Sequence, residues 1–417
     1  LSNKAKVMII GGGVNGLCSA YYLSQSGYDI EVIDPGFSAE GTSYGNAGMI
    51  VPSHFIPMAS PGIISKGLKW MFNASSPFYI KPRLDWRLIQ WLWRFNKSCS
   101  SRNVERSQEL IWKYNELSKQ EYAKLAQNEN LNFDFHQRGL MMLFKSEKSK
   151  AEEIEIAQKA NEIGIEAKVL DQSQVQSLNP DVKVDVLGGV YFPEDAHLYS
   201  NHFMRDLMDL LTKRGVKLTK DSVIGTKMAN DRITALTTKN GKVVLADHFI
   251  ITAGAWSWKI LKMLGIKLLL EDGKGYSITQ KSIDIKPTIP AILTDEKVAI
   301  TPMGDDLRIT GTLEISGIST KINHKRVHGF LSAVPKYFPD MKVPDQPAVD
   351  EIWTGYRPLS FDGVPYVGRS KSIANLVVAT GHGMMGMSLG PATGKLVAQI
   401  VNQENTDLDL ELMRLGR

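Results

Sequence analysis

Val7-Met8-Ile9-Ile10-Gly11-Gly12-Gly13-Val14-Asn15-Gly16 decides the fold. Residues 7–10 are a continuous apolar run of strand length, and the glycines that stop it lead into an alanine- and tyrosine-bearing helical pattern over 14–25. Gly27 stands where a helix end takes a left-handed residue, and Ile30-Glu31-Val32-Ile33 reads as a second strand closing at Asp34. The segment is therefore the start of a βαβ unit. Within it Gly11, Gly13 and Gly16 have the spacing G-x-G-x-x-G, where glycines permit the turn and let backbone N–H groups approach a pyrophosphate at the helix N-terminus. Asp34 follows roughly 20 residues on, where a carboxylate can accept hydrogen bonds from ribose hydroxyls and disfavours a 2′-phosphate. These residues alone leave NAD and FAD open.

Working outward, the 417 residues exceed one average core and suggest two domains. A stretch rich in Gly, Ser, Asn and Pro runs from Asp34 to about Pro61, too long for a plain connection and so expected to be functional. Helical patterns cover 85–99, 104–126, 148–163 and 202–214, with strand-like runs at 139–144, 187–192 and 216–223. A hairpin with Lys239-Asn240-Gly241 as its turn returns to the apolar strand Phe249-Ile250-Ile251-Thr252. Short strands dominate 268–313. The last stretch repeats the opening pattern, with the apolar run Leu376-Val377-Val378-Ala379, a Gly/Met turn and then a helix over 391–402. The division expected is a dinucleotide-binding domain from 1–83, 200–262 and 350–417, interleaved with a mixed α+β substrate domain from 84–199 and 263–349.

Composition excludes several classes. The content is 43% hydrophobic and 22% charged, that of an ordinary globular protein. A net charge of +5 on scattered basic residues gives nucleic acid no footprint. Two cysteines, Cys18 and Cys99, are too few for a disulfide framework and lie in no metal-ligand spacing, so no metal site is expected. Residues 1–6 run directly into the first strand without the regions of a cleavable signal, and no apolar run is of spanning length, so a cytoplasmic location is expected. Trp86-Arg87-Leu88-Ile89-Gln90-Trp91-Leu92-Trp93-Arg94-Phe95 mixes tryptophan with basic residues. It reads either as a helix packed in the second domain or as a peripheral contact with the inner face of a membrane.

Three further segments, 41–49 with its Thr42-Ser43 and Asn46-Ala47-Gly48, 250–257 with its Ala253-Gly254-Ala255-Trp256-Ser257, and 354–387 with its Arg357-Pro358, Asp362-Gly363 and Gly381-His382-Gly383, resemble the glycine oxidase and D-amino acid oxidase superfamily of FAD enzymes, with bacterial D-amino acid dehydrogenases the nearest group. Gly41-Thr42-Ser43-Tyr44-Gly45-Asn46-Ala47-Gly48-Met49 is similar to the loop that in the family passes the phosphates and runs under the isoalloxazine ring. Its small residues allow close approach, and Thr42, Ser43 and Asn46 can hydrogen-bond polar cofactor atoms. Ile250-Ile251-Thr252-Ala253-Gly254-Ala255-Trp256-Ser257 resembles the strand and turn that close around FAD. Thr354-Gly355-Tyr356-Arg357-Pro358, Asp362-Gly363-Val364-Pro365 and Gly381-His382-Gly383-Met384-Met385-Gly386-Met387 resemble the family's remaining signatures. The likeness extends to Ser60-Pro61-Gly62, Gly67-Leu68-Lys69-Trp70-Met71, Gln137-Arg138-Gly139 and Lys274-Gly275-Tyr276-Ser277.

The resemblance implies FAD held by Gly11, Gly13, Val14, Asn15, Gly16 and Asp34, by Thr42, Ser43, Asn46, Ala47, Gly48 and Met49, by Val223, Ala253, Gly254 and Trp256, and by Gly381, His382, Gly383, Met385, Gly386 and Met387. It makes Arg357 the clamp for a substrate carboxylate, a task that suits its planar fork. His382 is expected to touch the cofactor through its backbone and the neighbouring methionines to pack. His54 and Tyr276 are candidates for the substrate wall, set against ordinary hydrogen-bonding roles. The loop Val51-Pro52-Ser53-His54-Phe55-Ile56-Pro57 departs from the S-P-G-Y type of the dehydrogenases, which leaves the substrate side chain open.

The implied activity is hydride transfer from the Cα–H of a small D-amino acid to flavin, giving an imine that hydrolyses to a 2-oxo acid, with a quinone or other carrier taking the electrons. D-proline or 4-hydroxy-D-proline oxidation, an oxygen-using oxidase and a redox-inert FAD-binding subunit are the alternatives.

Overall fold

The structure is a computed structural model and describes residues 4–37, 41–65, 78–129, 131–344 and 346–417. The resembling stretch Gly67–Met71 lies outside the described residues. The opening unit forms as its pattern requires: strand β1 (Lys6–Ile10), helix α1 (Val14–Gln25) and strand β2 (Asp29–Asp34). β1 joins a six-stranded sheet in the order Tyr366–Arg369, Leu376–Thr380, His248–Ile251, β1, β2, Lys217–Lys220. All neighbours run parallel except the antiparallel edge strand Tyr366–Arg369. The inner strands are mainly apolar because both faces of the sheet are covered, and the charge of Glu31 in β2 is buried against Lys242. α1 and the helix Gly390–Asn402 pack so closely on one face that a Cβ at Gly394 would lie 2.4 Å from the Cys18 carbonyl carbon. This is an α/β fold with a Rossmann-type dinucleotide-binding domain.

The second layer is a mixed nine-stranded sheet. Its path runs Trp353–Ser360, Leu270–Gln280, Asp306–Ile315, Val298–Met303, Ala291–Leu293, Leu140–Phe144, Gly188–Phe192, Lys168–Asp171, and Phe78–Ile80 pairs with Asp306–Ile315.

Several segments sit across the division expected from the sequence, Phe78–Ile80 among them. Trp353–Ser360, assigned with the dinucleotide-binding stretches, hydrogen-bonds to Leu270–Gln280 in the nine-stranded sheet. The helix Ser101–Asn128, assigned to the substrate domain, buries Tyr114, Tyr122 and Leu125 in the core that contains α1. An amphipathic stripe states that a face is covered but not which sheet covers it. The helix Trp86–Ser98 likewise sets Leu88 and Trp91 in a core with Met8, Ile10 and Phe249, and leaves Trp86 and Trp93 70% and 54% exposed. Among the described residues no helix is long and apolar enough to cross a membrane.

Candidate active site

A cavity of ≈ 2040 Å³ is lined by residues of both sheets, with Gly11–Gly13 and Asp34 in its wall as well as Arg357, Tyr276 and His54. The part beside β1 is shaped by glycine. Gly11, at φ +113, passes so near the next strand that a Cβ would stand 2.6 Å from the carbonyl of Thr252, whose hydroxyl donates to the Gly11 carbonyl at 2.8 Å. Gly16 lies outside the cavity wall: its Cβ would meet the Gly11 carbonyl oxygen at 1.9 Å, so its task is to let α1 close on the turn. α1 has no capping side chain at Gly13, and the Val14 N–H donates instead to Ser43 Oγ at 3.0 Å. Asp34 accepts from the N–H groups of Gly12 and Gly36 at 2.8 Å each, and burial still holds its carboxyl above the ordinary value.

The loop after β2 carries the middle of the wall. Thr42 both donates to and accepts from the Tyr356 backbone, at 3.3 and 3.1 Å, which ties the loop to the strand of Arg357. Asn46 Oδ1 accepts the Gly48 N–H at 2.9 Å. Of the three side chains expected to serve cofactor atoms, Thr42, Ser43 and Asn46 thus all spend polar atoms on shaping the loop. Gly48 is also absent from the wall, since at φ +70 it turns against the Leu198 carbonyl, while Ala47 and Met49 line the cavity. Val223, Ala253, Gly254 and Trp256 close it from the side of the dinucleotide-binding domain.

The turn Gly381, His382, Gly383, Met385, Gly386 and Met387 completes the wall, and a bridge between Leu359 and His382 joins it to Arg357's strand. His382 is buried with Nδ1 against Asn15 Nδ2 at 2.9 Å and Nε2 against Thr393 Oγ1 at 3.0 Å. Burial lowers its pKa to about 3, so the ring is a neutral strut between two helices. Tyr122 anchors the far end of the turn by donating to the Met387 carbonyl at 2.6 Å.

Arg357 donates from Nη1 to the Thr312 carbonyl at 2.6 Å and faces no carboxylate in an ion pair among the described residues. Burial lowers the guanidinium only to about 10, so it stays charged at neutral pH. A charge in such a place without a protein counter-ion is a demand for an anionic ligand. Tyr276 lines the cavity without a free hydroxyl, which donates to Glu314 at 3.2 Å and accepts from the Asn323 N–H at 3.1 Å. His54 lines the wall with Nδ1 3.2 Å from Ser53 Oγ, and burial with Lys297 nearby lowers its pKa to about 4.

The residues present fit a flavin dinucleotide. The glycine turn and α1 N-terminus suit phosphates, Asp34 suits ribose hydroxyls, and the buried Asn15 Oδ1 has no partner among the described residues, an orphan that a bound donor relieves.

Two groups the sequence did not flag support this site. Arg308 spans the layers, donating to the carbonyls of Tyr44 and Asn46 at 2.7 and 2.8 Å and to Ser200 and Asn201 at 2.9 and 3.0 Å. Asp195, fully buried, accepts the Ser53 N–H at 3.0 Å. Neither lies in a motif, and only the strand pairing brings them to the loop.

The family described as DAO, FAD dependent oxidoreductase, matches residues 6–400. The D-amino acid dehydrogenase of Granulibacter bethesdensis is 31% identical over 422 residues, covering 99% of each chain. That of Helicobacter pylori is 30% identical over 413 residues, covering 98% of each. Among solved structures, glycine oxidase from Geobacillus kaustophilus superposes with a TM-score of 0.79 at 20% identity over 99% of each chain. L-proline dehydrogenase from P. horikoshii does so at 0.74 and 18% identity, over 99% of this chain and 97% of its own, and both likenesses are of fold. The chain belongs to the DAO family of FAD-dependent oxidoreductases.

Proposed function

We propose that the chain is a dehydrogenase of small D-amino acids that oxidises the Cα–N bond to an imine, which water hydrolyses to a 2-oxo acid. The observation that carries this reading is Arg357, a cavity-facing cation with one hydrogen bond to a carbonyl and no acidic partner among the described residues. The full-length relatives named D-amino acid dehydrogenase support the choice of substrate.

Arg357 binds and orients the substrate carboxylate through its remaining N–H groups, which fixes where Cα lies. Gly275, against which the guanidinium lies, and Tyr276 line the same cavity. Burial between the two sheets excludes bulk water and strengthens the hold on the carboxylate. FAD, when bound, supplies the acceptor for the hydride that leaves Cα. The substrate amine must be neutral for its lone pair to stabilise the developing iminium.

For the electron acceptor the reading is an amphipathic carrier such as a quinone, reached at a membrane surface. The cavity wall continues through Leu88, Ile89, Trp91 and Leu92 of the helix Trp86–Ser98. On the outer face of that helix stand Trp86 and Trp93, with Lys97 3.8 Å from the Trp93 ring centre. Tryptophan and basic side chains on one face suit an anionic lipid surface. Sedimentation with anionic vesicles, lost in a Trp86→Ser/Trp93→Ser variant, is the expected result.

The test of the activity is anaerobic bleaching of the flavin against D- and L-amino acids, with proline and 4-hydroxyproline of each hand. Bleaching by small D-amino acids is expected. Bleaching by L-amino acids alone overturns the stereochemistry, and none at all overturns the reading. Rapid hydrogen peroxide formation under air would make it an oxidase.

A further inference from the structure

We propose that His54, Ser53 and Asp195 form a proton relay that takes the proton lost when the substrate amine becomes neutral and carries it from the cavity wall to a buried carboxyl. The proposal rests on the reading of the chain as an amino-acid dehydrogenase.

The relay is built by one short strand pairing. Met49–Ile50 runs antiparallel to Ala196–His197, with Met49 opposite His197 and Ile50 opposite Ala196, and this sets the loop 51–54 beside Asp195. The carbonyl of Asp195 accepts the Gly139 N–H at 2.9 Å, which fixes its backbone. The Ser53 N–H donates to Asp195 Oδ1 at 3.0 Å and the Ser53 hydroxyl donates to Oδ2. Ser53 Oγ lies 3.2 Å from His54 Nδ1, and His54 Nε2 has no protein partner among the described residues. His54 lines the same cavity as Arg357.

Hydrogen counting fixes the direction. While Asp195 is ionised, the Ser53 hydroxyl can only donate to it, so Ser53 Oγ must accept from His54 Nδ1–H. His54 Nε2 then carries a lone pair and can take a proton from the substrate ammonium. As it does, the Nδ1 proton passes to Ser53 Oγ and the Ser53 proton to Asp195 Oδ2. Three N–H or O–H bonds break and three form; no electrons leave the relay, and the amine regains its lone pair. The imidazole is neutral before and after.

The electrostatics of the two ends favour that outcome. His54 is a poor resting place for charge, since burial and Lys297 hold its pKa near about 4. Asp195 is a good place for a proton. Burial raises its carboxyl to about 7 against the Ser53 hydrogen bonds and the charge of Lys119, with Glu116 adding to the rise. Lys119 is itself held by Glu116 at 2.9 Å and Glu194 at 3.1 Å, which moderates its pull.

The experiment is single-turnover bleaching of the FAD-loaded protein, without oxygen, across pH with a bleaching amino acid from the panel. In the parent protein the rate should rise about tenfold per pH unit and level off above roughly pH 7, because an ionised acceptor is required. Asp195→Asn keeps the shape and an acceptor for the Ser53 N–H but cannot take a proton. With Ser53→Ala as the second variant, the rate at neutral pH should fall about 10- to 100-fold. It should recover in alkali, where the amine arrives already neutral. A readout independent of turnover is the ¹⁵N shift of His54, expected to show Nδ1–H above the Asp195 transition and Nε2–H below it, and no such exchange in Asp195→Asn.

A flat pH profile in a parent protein that bleaches overturns the relay alone, whereas no bleaching by any amino acid overturns the functional reading with it. A variant loss that is equal at every pH assigns Asp195 to the fold and also overturns the relay.

Discussion

Gly275 and Arg357 occupy one space: a Cβ on Gly275 would stand 2.4 Å from both terminal nitrogens of the guanidinium. The two residues lie on adjacent antiparallel strands, with Gly275 opposite Gly355 and Gly273 opposite Arg357. The missing side chain is what lets the guanidinium lie flat toward the cavity. Gly275→Ala should therefore displace the clamp while the protein folds and keeps its flavin. A shift of about 1 Å in a positioning group costs on the order of 100-fold, so kcat/KM should drop by about that factor. Arg357→Lys should not restore activity, since an ammonium lacks the fork. Steady-state assays with an artificial acceptor decide it, and a Gly275→Ala variant within twofold of the parent would remove Arg357 from the substrate site.

Gly16 gives a prediction about the cofactor alone. With its Cβ 1.9 Å from the Gly11 carbonyl oxygen, Gly16→Ala must push α1 away from the turn that closes β1. The same Cβ would stand 2.8 Å from Thr252 Oγ1, which holds the other side of that turn. The variant should purify soluble but colourless, with far-ultraviolet circular dichroism unchanged. Flavin absorbance equal to the parent's would show that the helix N-terminus does not carry the phosphates.

These two glycines mark how unevenly the site could be read. Gly16 declares itself through its spacing after an apolar strand, because a turn of fixed geometry needs glycine at fixed offsets. Gly275 sits in Lys274-Gly275-Tyr276-Ser277, where family likeness points to it but no local rule gives a reason. The same split runs through the fold. α1, β1 and β2 follow from periodicity and end where the sequence places them. Trp353–Ser360 has Gly355 and Pro358 inside it, turn-like residues that pairing with Leu270–Gln280 nevertheless holds extended. The strand Lys168–Asp171, largely exposed, offered no apolar signal. Asp195 and Arg308 give no signal in the sequence because the loop residues they hold, Ser53 for one and Tyr44 and Asn46 for the other, are more than 100 residues away.

Arg308 supports a stability prediction. It is buried, and its fork holds the carbonyls of Tyr44 and Asn46, with Nε on Thr279 at 2.9 Å. Arg308→Met keeps much of the bulk and leaves those carbonyls without their donor. Losing charge-assisted hydrogen bonds of this kind costs about 2–3 kcal/mol. Urea unfolding should register that loss, and FAD should dissociate faster because the loop past residue 42 is no longer pinned from below. A variant as stable as the parent would mean that water replaces the guanidinium without cost.

His382 yields the pH prediction. Asn15 Nδ2–H points at Nδ1, and Nε2–H donates to Thr393 Oγ1, which also receives the Tyr114 hydroxyl at 2.6 Å and donates to the Leu389 carbonyl at 2.7 Å. A second ring proton would meet the Asn15 donor, so only the neutral ring fits. Its pKa of about 3 in the folded chain lies below the ordinary 6.5, and between these values the unfolded chain binds a proton that the folded chain refuses. Its contribution is therefore fully present above pH 6.5 and is lost as pH falls toward 3. The slope is about 1.4 kcal/mol per pH unit. His382→Gln keeps an acceptor and a donor but cannot titrate. Unfolding free energies of the two proteins, compared from roughly pH 6 to pH 4, should diverge by that slope, the parent falling faster. His54 and His197 act in the same sense and Asp195 in the opposite one, but all three are common to both proteins and cancel in the difference. Parallel curves would mean that the folded His382 takes up a proton after all, and that its place between Asn15 and Thr393 is less closed than these contacts make it.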